Sequence, residues 1–154
     1  MRKFKSACAV ASMLLVALPA LAERNFVSFD KGDLIIQTGA GAQKFTVELA
    51  TDEARRAQGL MYRQRMAADA GMLFVYPHPQ PATMWMKDMY MPLDVVFIGP
   101  DDRIKNIQER AVPQSPAIIP SDGTVRAVLE LNAGTVSHFG IKPGDLVKAA
   151  ALSD

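Results

Sequence analysis

Cysteine is almost absent from this chain, and its one occurrence lies in a segment typical of a cleavable signal. Cys8 falls in an apolar run, residues 7–18, that follows three basic residues and precedes an Ala-Leu-Ala cleavage sequence at residues 20–22. The run is shorter than the roughly 20 residues of a membrane-spanning helix. We therefore predict a cleaved secretory signal at residues 1–22 and a periplasmic or secreted protein. Its mature chain, residues 23–154, would have no cysteine, no disulfide and no transmembrane segment.

An excess of charge of either sign is also missing. The chain has 17 Lys and Arg against 16 Asp and Glu, a formal net charge of +1. The predicted signal contains three of the basic residues and none of the acidic ones, so its removal changes the net charge to −2. No basic block remains, which argues against nucleic acid as a partner. The remaining length suits a single domain.

Familiar catalytic motifs are missing as well. The sequence has no glycine-rich phosphate loop, no His-Glu-x-x-His and no Gly-x-Ser-x-Gly. His78 and His138 are far apart and follow no metal-ligand spacing. Catalysis would therefore have to use carboxylates, so an enzyme is the weaker hypothesis and no cofactor is predicted.

Short strand-like segments separated by turn signals make up most of the chain. Residues 44–49 alternate between apolar and polar side chains, and residues 93–98 form a mostly apolar run. Short helices are predicted at residues 51–58, where Gly59 can supply the stop, and near residues 136–139. The pattern predicts a mostly β (β-rich α+β) fold. We expect one compact antiparallel domain, barrel-like or a sandwich, with one or two short helices.

Three more local predictions concern turns and strand ends. Residues 30–33 have the composition of a turn, and the proline-bearing residues 78–81 that of a loop ending a strand at residues 71–76. A further strand is predicted at residues 83–87.

Residues 83–98 concentrate the most unusual side chains of the sequence. They include the only tryptophan, Trp85, which suits either a core position or a pocket wall. Asp94 shares a strand face with two apolar residues, so its carboxylate is either solvent-exposed near a strand end or buried with a polar or charged partner. Lys87 and Arg63 are the candidate cationic partners, either in a structural ion pair or in a binding pocket.

Glu130 is a second acid on an apolar row, because it shares a face with Val128. If Glu130 and Asp94 faced one cleft, they could act as a hydrolytic pair. Alternatively, they would be polar groups of a binding pocket. The candidate ligand-binding residues are Arg63, Trp85, Lys87, Asp94 and Glu130.

Four of the nine methionines lie in the same stretch. Thioethers are soft ligands that favour Cu(I), so a copper site is one hypothesis and adaptable core filling is the other. The candidate ligands would be Met84, Met86, Met89, Met91 and His78.

Several motifs resemble the uncharacterised bacterial and archaeal family called domain of unknown function 192. They include residues 51–63, the Gly-Met-Leu-Phe at residues 71–74, the Trp-Met-Lys at residues 85–87, residues 92–98 and residues 128–134. The resemblance covers nearly all of the predicted mature chain and implies a compact β-rich domain, often behind a signal peptide, with no assigned activity. Where the family usually continues Trp-Met-Lys with Asn-Thr, this chain has Asp-Met.

Two functional hypotheses follow from the sequence. The preferred one is an exported, non-enzymatic module that binds a small ligand, a glycan or an envelope protein through the region from Trp85 to Asp94. The alternative is a carboxylate-based hydrolase of the cell envelope that uses Asp94 and Glu130.

Overall fold

The structure is a computed structural model that describes residues 26–153, so the predicted signal lies outside the described residues. Seven strands and two short helices occupy this range. The strands are β1 (Asp30–Thr38), β2 (Gly41–Ala50), β3 (Ala70–Met84), β4 (Leu93–Ile98), β5 (Ile104–Ala111), β6 (Ile119–Asn132) and β7 (Leu146–Ala149). The helices are α1 (Glu53–Gln58) and α2 (Thr135–Phe139), and a 3₁₀ turn (Ala150–Leu152) ends the described chain.

All seven strands belong to one curled sheet, in the order β5-β4-β6-β3-β2-β1-β7. Five of the six strand pairs are antiparallel, and the exception is the β2–β3 pair, whose connection contains α1. The outer strands approach each other at one end, where Arg103 forms a bridge with Leu146 and the Ile104 N–H donates to Asp145 O at 3.0 Å. The predicted mostly β fold with two short helices is confirmed.

Apolar side chains cover both faces of the sheet. One face, here called the α2 face, carries Val96, Leu129 and Leu131 in a core cluster that also contains Val136 of α2. The other, here called the cleft face, carries Met72 and Val95 beneath a second cluster. Because successive strand residues point to opposite faces, central strands buried on both sides read as continuous apolar runs. All six residues of β4 are buried.

The local predictions succeed where turn chemistry is unambiguous. The observed ends of β4 and β7 match the predicted ones. Helix α1 is capped by Gly59, as predicted, and the φ of this glycine is 49°. The predicted turn at residues 30–33 is wrong, because these residues begin β1. The predicted loop at residues 78–81 lies within the span of β3, where the pairing register shifts between Val75 and Gln80. The predicted strand at residues 83–87 is also wrong beyond Met84, where β3 ends.

Glycine is required at two close approaches, Gly59 on the cleft face and Gly71 on the α2 face. A Cβ on Gly59 would lie 3.1 Å from Phe74 Cζ, so only glycine lets α1 end against that ring without displacement. A Cβ on Gly71 would lie 2.7 Å from Glu130 O, closer than real contacts allow. Without a Cβ at these positions, the end of α1 can approach Phe74 and β3 can approach β6.

Candidate functional site

Asp94 is fully buried on the α2 face, with an exposed fraction of 0%. Its Oδ1 accepts a hydrogen bond from the Arg110 N–H at 2.8 Å, and its Oδ2 accepts one from the Val136 N–H at 2.9 Å. The predicted pairing with Lys87 or Arg63 is therefore wrong. The sequence correctly indicated a buried and paired carboxylate, but the partners are two backbone amides.

These two contacts give Asp94 a structural role. The N-cap of α2 is Gly134, which has no side chain to satisfy the free N–H groups of the first turn, so Asp94 supplies the missing acceptor. Arg110, with φ 50°, lies where the β4–β5 register shifts between Leu93 and Val95. Asp94 thus ties β4 to an irregularity in β5 and to the start of α2.

Glu130 lies on the opposite face of the sheet. In the β4–β6 register Asp94 is paired with Leu131 and Val95 with Glu130, so the two acids occupy adjacent rows that point in opposite directions. A hydrolytic pair of Asp94 and Glu130 in one cleft is therefore excluded by the backbone register. This finding corrects the sequence-based hypothesis of a two-carboxylate site.

An open cleft of about 300 Å³ lies over Glu130 on the cleft face. Its walls come from α1, from β3 and from the loop that follows β3. Most of the lining is apolar, with a few polar groups among carbon and sulfur atoms. The lining residues are Arg56, Ala57, Gln58, Gly59, Leu60, Met61, Phe74, Tyr76, Thr83, Met84, Trp85, Met89 and Glu130.

Glu130 is the unusual group of this cleft. Its side chain is only 3% exposed, and its Oε2 has no hydrogen-bond partner among residues 26–153. Burial disfavours the charged form and raises the pKa of the Glu130 carboxyl to about 8. The carboxyl is therefore mostly neutral at pH 7, and it has an O–H to donate.

Two polar side chains share the cleft with Glu130. Burial raises the pKa of the Tyr76 hydroxyl, opposed by the charge of Arg56 and reinforced by that of Glu130, so Tyr76 is neutral at physiological pH. The Arg56 Cζ lies 5.8 Å from the centroid of the Tyr76 ring, and its Nη1 donates to Val75 O at 3.0 Å. Among the described residues that line the cleft, Arg56 is the basic residue and Glu130 is the acidic one.

Trp85 forms part of the cleft wall and is 54% exposed, so it is not a core residue. Lys87 Nζ lies 5.8 Å from the centroid of its indole ring, a cation–π arrangement. Arg63 is elsewhere: it forms an ion pair with Glu48, and its Cζ lies 5.7 Å from the centroid of the Phe29 ring. Of the five candidate ligand-binding residues, the cleft is lined by Trp85 and Glu130, with Lys87 beside Trp85.

The four clustered methionines pack in the core of the cleft face. Met86, Met89 and Met91 are buried there among carbon side chains, Met84 is half-buried, and His78 is exposed on β3. No group of three or more His, Cys, Asp or Glu residues that could hold a metal occurs within residues 26–153. The burial of the methionines matches the core-filling alternative, and copper binding stays an untested hypothesis.

Sequence reasoning missed Arg56, Phe74 and Tyr76 as parts of the site. A signal was present, because Met72, Phe74 and Tyr76 alternate on one side of β3 and therefore share a face. The pairing of Met72 with Glu130, and of Phe74 with Val128, was needed to place this row next to the acid.

These features define a small β domain with an apolar cleft over a buried, unpartnered acid. The sequence model of the family DUF192, described as "Uncharacterized ACR", matches residues 35–149, and the chain belongs to this family. No curated protein matches the chain.

Two crystal structures are similar to this one. A protein of Sinorhizobium meliloti 1021, provisionally described as a transcription regulator, is 50% identical with a TM-score of 0.78, over 82% of this chain and 98% of that one. A protein of unknown function from Novosphingobium aromaticivorans DSM 12444 is 35% identical with a TM-score of 0.77, over 92% of this chain and 99% of that one.

Proposed function

We propose that this protein is an exported binding module that holds a small ligand in the cleft between Trp85 and Glu130. The observation that carries the proposal is the unpartnered Glu130 Oε2 beneath an open cleft. Buried polar groups in folded proteins nearly always have a partner, and a mostly apolar pocket with few polar groups is typical of a ligand site. A ligand that hydrogen-bonds Glu130 would supply the missing partner.

The wall of the cleft suits a ligand with an apolar body. Trp85 presents a large, half-exposed ring, and Met61, Met84 and Met89 offer flexible thioether side chains that adapt to irregular shapes. Tryptophan is enriched at interfaces because its ring offers a large apolar surface while its N–H can meet water or a polar group. The proposal therefore retains Trp85 and Glu130 from the sequence-based site and replaces Asp94 with the cleft-lining residues of α1 and β3.

The S. meliloti protein is described as a transcription regulator, which suggests DNA as a second partner class. A protein that binds DNA neutralises several phosphates with Lys and Arg, which usually gives the domain a clear basic excess. The 17 basic residues of this chain are nearly balanced by 16 acidic ones. We therefore favour a small ligand over nucleic acid.

NMR of the methionine methyl groups tests the binding proposal. Purified protein carrying ¹³C-methyl methionine would be titrated with glucose, N-acetylglucosamine, acetophenone, benzoate and 1-phenylethylammonium. Small probes of this size bind at about millimolar dissociation constants, roughly −4 kcal/mol. We expect at least one probe to shift the Met61, Met84 and Met89 signals saturably, while Met66, which does not line the cleft, changes little. If no probe does so, the proposed function is wrong.

Cell fractionation tests the export part of the proposal. The support for export is the predicted signal at residues 1–22. Within the part of the chain that the structure describes, no helix has the length and apolar character needed to cross a bilayer. We expect the full-length gene product to leave the cytoplasm and its N-terminal sequence to begin at Glu23. A cytoplasmic protein that retains residues 1–22 would contradict this.

A further inference from the structure

The chemistry of Glu130 indicates what kind of group its ligand presents. A carboxyl with no nearby cation is held neutral by its apolar surroundings, and a neutral carboxyl has one O–H donor to satisfy. None of the ion pairs formed within residues 26–153 includes Glu130, and its Oε2 has no hydrogen-bond partner there, so no cation in contact with the carboxyl compensates its burial. The group missing from the site is therefore a hydrogen-bond acceptor.

The charged groups around the cleft make a cationic ligand unfavourable. Arg56 of α1 contributes a positive charge to the wall, and Lys87 holds a second one 5.8 Å from the Trp85 ring centroid. From the adjacent strands, β3 contributes the neutral Tyr76 and the apolar Met72, and β4 contributes Val95 opposite Glu130. With Glu130 neutral, the charge at this site is positive, and it repels an incoming ammonium.

The other residues that line the cleft indicate the polarity of the part of the ligand that lies against them. The mostly apolar lining includes the rings of Phe74 and Trp85 and the thioethers of Met61 and Met89. A heavily hydroxylated ligand would leave hydroxyl groups unpaired against these surfaces, which costs free energy. An aromatic ring or a branched hydrocarbon would instead remove apolar surface from water.

We propose that the cleft selects an uncharged ligand with an apolar body and a carbonyl oxygen that accepts a hydrogen bond from the neutral Glu130 carboxyl. This inference rests on the proposed function, because it requires the cleft to be a binding site. Tyr76 and Arg56 would border the same carbonyl end, while Trp85 covers the apolar body.

Two matched probes test this selection. Acetophenone carries a carbonyl on a phenyl ring, and 1-phenylethylammonium places a charged amine at the same position of a similar skeleton. At pH 6.5 we expect acetophenone to bind at least several-fold more tightly, read from the Met61, Met84 and Met89 methyl signals. Tighter binding of the ammonium probe would overturn the proposal.

The pH dependence of acetophenone binding tests the role of Glu130. Since only the neutral carboxyl donates, the apparent dissociation constant rises as Glu130 ionises. With a pKa of about 8, the neutral fraction falls about tenfold between pH 6.5 and pH 9, so we expect about tenfold weaker binding at pH 9. An affinity that stays constant over this range would overturn the proposal.

Two variants at one position provide the controls. Glu130→Gln keeps an N–H donor that does not titrate, so acetophenone should bind with an affinity that no longer depends on pH. Glu130→Leu removes the donor, and binding should weaken at least several-fold at pH 6.5 while the chain stays folded, because leucine suits a buried position. Unchanged affinity in Glu130→Leu would contradict the hydrogen bond.

The same data separate this inference from the proposed function. If the ammonium probe or a sugar shifts the cleft methyl signals and acetophenone does not, the cleft is a ligand site and the ligand class is wrong. If no probe shifts them, the proposed function and this inference are both wrong.

Discussion

Asp94 and Glu130 are two buried acids on neighbouring strands of one sheet, and their surroundings differ completely. The Asp94 carboxylate accepts two backbone N–H groups at 2.8 and 2.9 Å, whereas Glu130 Oε2 has no partner among the described residues. Asp94 faces α2, and Glu130 faces an open cleft. Although both acids are buried, Asp94 therefore has a structural role, whereas Glu130 is a candidate binding group.

The difference comes from where backbone amides are free. The first turn of α2 and the irregular stretch of β5 each leave an N–H pointing at Asp94, because neither amide has its usual partner in a helix or ladder. On the cleft face, Glu130 is surrounded by paired strands whose amides are already bonded along the sheet. A carboxyl in that position stays neutral or binds something from outside.

The largest effect is expected from Asp94. Asp94→Ala leaves the N–H groups of Arg110 and Val136 without their acceptor, the second of them buried, which should lower the free energy of unfolding by about 3–5 kcal/mol. Asp94→Asn keeps one acceptor oxygen and should fall between the alanine variant and the wild type. Urea unfolding measures both, with the exposed Asp30→Ala as a control expected to change stability by less than about 0.5 kcal/mol. A loss below about 1 kcal/mol in Asp94→Ala would show that these hydrogen bonds are not structural.

The next effect concerns Glu130 and depends on pH. Its folded pKa of about 8 exceeds the ordinary 4.5, so the folded state holds the proton more tightly. The resulting stability is fully present below pH 4.5 and is lost as the pH rises through 8. Glu130→Gln does not ionise, so the variant should gain about 3 kcal/mol relative to the wild type between pH 5 and pH 8.

Urea unfolding of both proteins across this pH range measures that gain. Taking the change with pH removes any constant difference in packing between Glu and Gln. A gap between the two proteins that stays the same from pH 5 to pH 8 would mean that Glu130 is charged in the folded state.

A smaller stability effect is expected at the wall of the cleft. Trp85 is 54% exposed, so Trp85→Ala should lower the free energy of unfolding by no more than about 1 kcal/mol. The same variant should weaken acetophenone binding several-fold, because the ring covers the ligand body. Calorimetric or urea unfolding measures the change in the free energy of unfolding, and the methionine-methyl titration measures the change in the dissociation constant of acetophenone. A large stability loss with unchanged binding would identify Trp85 as a structural residue.

The smallest effect is expected at Arg63, which does not line the cleft. Its partially exposed ion pair with Glu48 should contribute about 0–1 kcal/mol, and salt should weaken it further. Arg63→Ala should leave acetophenone binding unchanged within twofold. A several-fold loss of binding would contradict this expectation and would show that the binding site extends beyond the residues that line the cleft.

Much of the fold could be predicted from the sequence, because its information is local. The alternation in residues 44–49 indicated β2, and Gly59 indicated the end of α1. The turn-like composition of residues 30–33 was misleading, since pairing with β2 along residues 46–49 keeps them extended. Propensity is a weak prior that such tertiary pairing overrides.

The site could be predicted only in part. Asp94 and Glu130 stood out because each interrupts an apolar row, and that signal is available in any sequence. Their partners could not be predicted, because the amide of Val136 approaches Asp94 only after α2 docks. The strand register that separates the two acids, Asp94 with Leu131 and Val95 with Glu130, is likewise a long-range property of the sheet.

The most direct test of this account is a ¹³C NMR titration of the Glu130 carboxyl in the ligand-free protein, with Glu130→Gln identifying the signal. Because burial without a partner disfavours the carboxylate, we predict a single transition with a pKa of about 8. A transition near the ordinary 4.5 would mean that Glu130 is solvated or paired, and it would contradict the assignment of a neutral donor to this cleft.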